Sequence, residues 1–277
     1  MKLNVFVTLF LRTVLLLASA VQVLAQSQLT SNTKMPAPQN FHMKLAVARN
    51  TSLVDFHDGT RTDSMDYELT PSYKIAAGTF SAALTYTQDL RDKQNGDSDA
   101  GDIPLSFTLP GWKNKTYSVN YTLTALAPVS KKSVKRDELQ TAISGKISLG
   151  YSQEDQQGLS WGAGFSLGQN FHSYEEDING AILNKYSSNQ TLLLGYALGD
   201  WSLAFTGINR TRMTYQNNVK STFELIEEIE YAVNESIAFT LGHTNSGTPL
   251  KPNGVDSNVA LVDEDTSTVY GSLTLNY

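Results

Sequence analysis

The sequence predicts an all-β protein: a closed, antiparallel, transmembrane β-barrel of about twelve strands. Three observations carry that expectation. Apolar residues recur at every second position, in run after run, from about residue 41 to the end. The links between runs alternate short and long. The residues of the other parity are mostly small and polar. A period of two is that of a strand whose faces meet two different surroundings.

The composition sets the bounds. The chain has 277 residues, a formal net charge of −6, four histidines and no cysteine. Without cysteine there is neither a disulfide framework nor a thiolate metal site. The mild acidity gives no electrostatic case for a nucleic-acid partner. Beyond residue 25 no stretch approaches the roughly 20 apolar residues of a spanning helix. Residues 1–25 read as a signal peptide: Lys2 and Arg12 precede an apolar run from Thr13 to Leu24, and Val23-Leu24-Ala25 supplies a small-residue cleavage site. Residues 26–40, with Pro36 and Pro38, read as a flexible leader, and residues 41–277 as the barrel.

Taken in order, the strands are expected at about 42–53, 65–77, 79–89, 102–109, 115–127, 139–151, 158–170, 187–198, 200–212, 221–233, 236–244 and 267–277. The second shows the period most clearly, with Met65, Tyr67, Leu69, Tyr73, Ile75 and Ala77 broken only by Pro71. Helical periodicity is absent outside the signal segment. Ala77-Gly78-Thr79, Leu198-Gly199-Asp200 and Val233 to Ser236 read as tight turns; Leu109 to Lys115 and Ser152 to Gln157 are slightly longer. Between them fall polar links at 54–64, 90–101, 128–138, 171–186, 213–220 and 245–266. Such alternation suits a barrel with clipped turns at its periplasmic end and long loops at its extracellular end.

The second parity decides which face points where. Ser160, Gly162, Gly164, Ser166 and Gly168 alternate with apolar residues in the seventh strand, as do Ser118, Asn120, Thr122 and Thr124 in the fifth. Twelve strands enclose too wide a space for modest apolar side chains to fill. Apolar residues towards lipid and polar ones towards water satisfy both faces, and closure pairs every backbone group. Trp112, Trp161 and Trp201 each follow a short turn closely, where indole rings favour the membrane interface. Glu227 breaks the pattern by falling on the lipid-facing parity, so a bulge near Ile226 is expected to turn it inward.

The last strand ends on an aromatic, Tyr277, after Gly271 and Ser272. It resembles the C-terminal signal by which the barrel-assembly machinery recognises its clients. The chain as a whole resembles bacterial outer-membrane β-barrel proteins of the porin and channel type. That resemblance implies export by a cleaved signal peptide and integral residence in a Gram-negative outer membrane. The partners it implies are the lipid bilayer and the barrel-assembly machinery during biogenesis. Lys131, Lys132, Lys135 and Arg136 form a basic cluster that reads first as a solvated loop keeping its barrel end in water, with pairing to lipopolysaccharide phosphates as the second reading. Oligomeric state is left open.

No Gly-rich phosphate loop or HExxH motif is present. Asp97, Asp99 and Asp102 lack the register of a calcium loop and read as a solvated acidic loop. No cofactor or metal is expected. Three functions stay open. The leading one is a passive channel for small polar solutes, lined by Lys44, Lys74, Lys146, Arg210 and Arg212 against Asp66, Glu68, Glu224, Glu228 and Glu230. A second is an outer-leaflet lipid hydrolase. His243-Thr244-Asn245-Ser246-Gly247 is similar to the His-x-Ser-Asn stretch of outer-membrane phospholipase A and the lipid A deacylase, which implies His243 as base and Ser246 as nucleophile. Asn245 stands where the nucleophile should share the histidine's face. The third is a structural or adhesive barrel with a closed lumen.

Overall fold

The computed structural model describes residues 40–55, 58, 60–91, 98–153, 158–250 and 256–277. The signal and leader readings lie outside these residues. Within them the chain forms a closed antiparallel barrel of twelve strands. These are β1 (Phe41–Ser52), β2 (Asp63–Ile75), β3 in two pieces (Gly78–Ala82 and Leu84–Asp89), β4 (Ile103–Lys113), β5 (Tyr117–Ala127) and β6 (Leu139–Tyr151). Then follow β7 (Gly158–His172), β8 (Asn184–Leu198), β9 (Trp201–Thr214), β10 (Val219–Ala232), β11 (Ile237–Gly247) and β12 (Ser267–Asn276). Each strand pairs with its neighbours in sequence, except that the second piece of β3 pairs on that side with the two residues Asp99–Ala100 rather than with β4, and β1 closes the ring by pairing with β12 from Lys44–Asn276 to Ser52–Thr268. The backbones of Met43 and Tyr277 exchange two hydrogen bonds of 2.9 Å at that seam.

Local chemistry explains the irregularities. β3 is interrupted at Ala83 although its register against β2 runs on from Ser72–Ser81 to Leu69–Leu84. Between those pairs β2 carries Pro71, which has no N–H to give to the ladder. Gly199, with φ 59°, is the first central residue of the two-residue β8–β9 hairpin, the position where a type II′ turn requires glycine. Asn217, with φ 63°, tightens the β9–β10 connection to residues 215–218, shorter than the expected 213–220. One wide helical turn, Lys132–Arg136, interrupts the otherwise non-helical third loop.

The two faces differ as expected. Leu123, Leu167, Leu198, Leu203 and Leu241 face outward, each at least half exposed, while Thr70, Ser72, Ser81 and Thr206 face inward and are buried. Tyr117, Tyr151 and Trp161 form a cluster on the outward side of the short-turn end, with the Tyr151 and Trp161 rings stacked at 6.0 Å. Trp201 packs on Tyr231 at 4.8 Å nearby. Trp112 sits at the same end, but as the penultimate residue of β4 rather than at the start of β5.

The bulge expected near Ile226 does not form. β10 stays in continuous register with β9, from Trp201–Tyr231 to Met213–Val219, and with β11, from Phe223–Gly247 to Ala232–Ala238. Glu227 therefore keeps the outward parity of Leu225 and Ile229. A partner on the next strand makes that placement tolerable.

Candidate functional site

The inward face is the first candidate. Register places Lys44, Asp66, Glu68, Lys74, Lys146, Arg210, Arg212, Glu224, Glu228 and Glu230 all on the inward side of their strands. The structure draws several of them together. Arg210 of β9 forms an ion pair with Glu224 of β10, one step diagonally across the ladder. The Tyr270 hydroxyl of β12 donates to Glu228 Oε1 at 2.7 Å, reaching across β11. It can do so because Gly242 stands between them: a Cβ there would lie 2.2 Å from the Tyr270 ring. On β2, Asp66 accepts from Asn50 at 2.8 Å and Glu68 from the Thr70 hydroxyl at 2.9 Å. Glu230 is buried next to Thr240 on β11.

The other half of the ring is nearly neutral. Ser106–Thr124 and Thr108–Thr122 hydroxyl pairs join β4 to β5 at 2.8 and 3.0 Å. Lys146 lies over Gly164 on the neighbouring strand, where the missing side chain leaves it room. The inward wall is thus an acidic arc from β10 to β2, offset by Lys44, Lys74 and Lys220, facing a hydroxyl-rich arc that carries Lys146. Two stretches of pattern G-x-S-x-G, Gly158–Gly162 and Gly164–Gly168, fall in the second arc. A nucleophile elbow needs a sharp strand-to-helix turn. Both stretches are regular strand, and Ser166 accepts a hydrogen bond from Asn189 at 3.0 Å.

The outward face carries the second candidate. His243 Nδ1 lies 2.7 Å from Glu227 Oε2, two residues directly opposite each other on β11 and β10. The Glu227 Oε1 and His243 Nε2 atoms are buried and have no hydrogen-bond partner. Around the pair runs a shallow apolar depression of about 550 Å³, lined by Leu194, Tyr196, Leu203, Phe205, Leu241 and Val269. The structure does not bring His243 and Ser246 together. Ser246 pairs with Glu224 and so belongs to the inward parity, while His243 faces outward. Sequence reasoning singled out His243 and Glu227 separately but missed their partnership, which the i-to-j register across two strands alone creates.

The acidic and basic loop clusters turn out to serve each other. Asp102 Oδ1 accepts the Val129 and Ser130 amides at 2.9 Å each, and its other oxygen accepts the Ser133 hydroxyl. Asp99 accepts the Lys131 amide at 2.8 Å, and Lys131 Nζ donates to Ser98 O at 2.7 Å. These bonds clasp the second loop to the third, so Asp99 and Asp102 are not simply solvated. Asp97 lies outside the described residues. Burial pushes the Asp102 carboxyl up, but the hydrogen bonds from Ser133, Ser130 and Val129 outweigh it and hold it below the usual carboxylate range. Arg136 pairs with Asp137 at 2.8 Å.

A closed ring of strands, apolar outside and polar within, defines a class: the outer-membrane type of β-barrel. Among solved structures of that class, an outer-membrane channel from Pseudomonas putida F1 superposes with a TM-score of 0.58 at 10% identity, covering 92% of this chain and 100% of its own. The NanC porin gives 0.53 at 10% identity, over 84% of this chain and 98% of that one. The KdgM porin, solved with disordered oligogalacturonate, gives 0.52 at 7% identity, over 84% and 99%. No protein-family profile and no curated protein sequence matches the chain.

Proposed function

We propose that the protein is a passive channel for small polar solutes in a bacterial outer membrane, delivered there by a cleaved signal peptide. The observation that carries this reading is the inward wall. The inward residues of β5 to β8 are mostly small, serine, threonine and glycine, and the charges present are of both signs and partly paired, as in Arg210–Glu224. Mixed and neutralised charge favours weak selectivity over strict exclusion of one sign. Lys44, Lys74, Lys146, Arg210 and Arg212 with Asp66, Glu68, Glu224, Glu228 and Glu230 are the residues that would line the path. The superposed proteins named as channels and porins support the reading by fold. The oligogalacturonate of KdgM is not carried over, because among the described residues the inward face has only Arg210 and Arg212 as guanidinium groups for such a polyanion.

A closed lumen draws its support from one observation: inward residues of the short-turn half, Ser72, Ser81, Thr206 and Ala238, are buried. The channel reading takes this as the narrow part of the path. Lipid hydrolysis has no comparable support, since His243 is engaged by Glu227 and Ser246 lies on the opposite face.

Swelling of liposomes containing the refolded protein separates the two. A channel predicts swelling in isotonic solutions of small sugars and amino acids, with rates that fall as solute size rises. No swelling above protein-free liposomes, from a correctly folded sample, overturns the channel.

A further inference from the structure

The part of the sixth loop that leads into β12, residues 256–266, folds over the outside of the wall. Four outward-parity residues at the top of three strands show this. Asn245 is 1% exposed, donates through Nδ2 to Ala260 O at 2.7 Å, and accepts from the Thr266 hydroxyl at 2.6 Å. Ser267 is fully buried, and its Oγ accepts the Asp263 amide at 2.9 Å. Phe223 of β10 is covered, and Gly247 has both the Phe223 ring and Asn258 against its outward side. An asparagine on a lipid-facing parity would ordinarily leave its amide unpaired in hydrocarbon. Here the loop backbone satisfies it.

The loop then shows apolar side chains where it replaces the wall. Val259, Leu261 and Val262 are each about half to two-thirds exposed, within four residues of one another. Below Asn245 and Ser267 on the same outward face come His243, paired with Glu227, and Val269, and below them Leu241 and Phe239 of the apolar band. The loop segment bonded to Asn245 and Ser267 thus sits just above that band.

We propose that residues 258–266 form a collar seated in the outer leaflet, with Val259, Leu261 and Val262 in contact with acyl chains. The inference rests on the reading of the chain as a membrane barrel. Its function is to extend the hydrophobic belt upward on the β10–β12 side, where Asn245 and Ser267 would otherwise meet lipid. The acyl chain is the occupant because the patch is the upward continuation of a surface that already faces lipid.

The chain has no cysteine, so single nitroxide labels can be placed by one substitution each. The protein is refolded into phosphatidylcholine–phosphatidylglycerol vesicles with a label at Leu261→Cys or Val262→Cys. Collision rates with oxygen and with a water-soluble nickel chelate are compared with those of Leu241→Cys on the wall and Val134→Cys in the exposed third loop. The expected result is an oxygen-to-nickel ratio at 261 and 262 close to that at 241 and several-fold above that at 134. Adding Asn245→Ala should release the collar and move the ratio at 262 towards that at 134. A ratio at 261 and 262 equal to that at 134, while 241 remains lipid-like, overturns the collar and leaves the barrel intact. A label shielded from both reagents identifies protein contact, such as a second copy, and also overturns it. A water-like label at 241 overturns the membrane reading and the collar with it.

Discussion

Glu227 and His243 stand directly opposite each other on the outer wall, 2.7 Å apart, surrounded by apolar side chains. Each removes the cost that the other would incur alone in hydrocarbon. The expected consequence is a non-additive pair. His243→Ala should lower stability by roughly 2 kcal/mol, because it strands a carboxylate on the lipid-facing surface. Replacing both, as Glu227→Leu with His243→Leu, should be neutral or stabilising, since a paired charge in an apolar setting rarely outperforms packed hydrocarbon. Urea unfolding in vesicles reads both; equal losses in the single and double variants would refute the account.

On the inward face, Arg210 and Glu224 cancel each other's charge. Arg210→Gln should free a carboxylate and move the reversal potential in a salt gradient towards cation preference. Glu224→Gln should move it towards anion preference. Reversal potentials that stay put in both variants would mean that the pair lies off the conduction path.

On the inward face Tyr270 reaches over Gly242 to Glu228, which places its ring beside the proposed path. Tyr270→Ala should raise single-channel conductance, whereas Tyr270→Phe, which keeps the ring, should leave it near the wild-type value. Gly242→Ala displaces the ring from its place, so it should alter conductance as well. Identical conductance in all three variants would show that the ring does not constrict the path.

How much of this was legible beforehand depends on whether one strand or two carried the signal. The period of two, the short and long links, and the inward Ser, Thr and Gly residues are properties of single segments, and the strands fell close to where they were read. The Glu227 bulge failed because the cost of one lipid-facing charge was weighed within a single strand. Its remedy, His243, sits sixteen residues on and opposite it only once the hairpin has formed. Asn245 was likewise read as an obstacle to hydrolysis; its partner at Ala260 lies in a loop whose path no periodicity describes. The clasp between Asp102 and Ser133 joins two loops thirty-one residues apart, which composition alone represents as one acidic and one basic patch.

That clasp makes the loops sensitive to acid. The Asp102 carboxyl is held below its ordinary value by its hydrogen bonds, so the ionised form is the one that stabilises the loops. Its contribution is fully present above the unfolded value, near pH 4, and is lost as pH falls through the lower folded value. Hydrogen exchange at the Val129 and Ser130 amides should therefore accelerate in acid by more than the intrinsic rate explains. Asp102→Asn should show that faster exchange already at neutral pH. Protection that is the same in the variant and the wild type would remove Asp102 from this role.

Single-channel recording of the refolded protein in a planar lipid bilayer asks whether water and ions pass along the inward face. Stable, discrete conductance steps with weak ion preference are expected, shifted in opposite directions by Arg210→Gln and Glu224→Gln. A silent bilayer, with protein shown to be folded and inserted, would contradict the channel and leave a closed barrel.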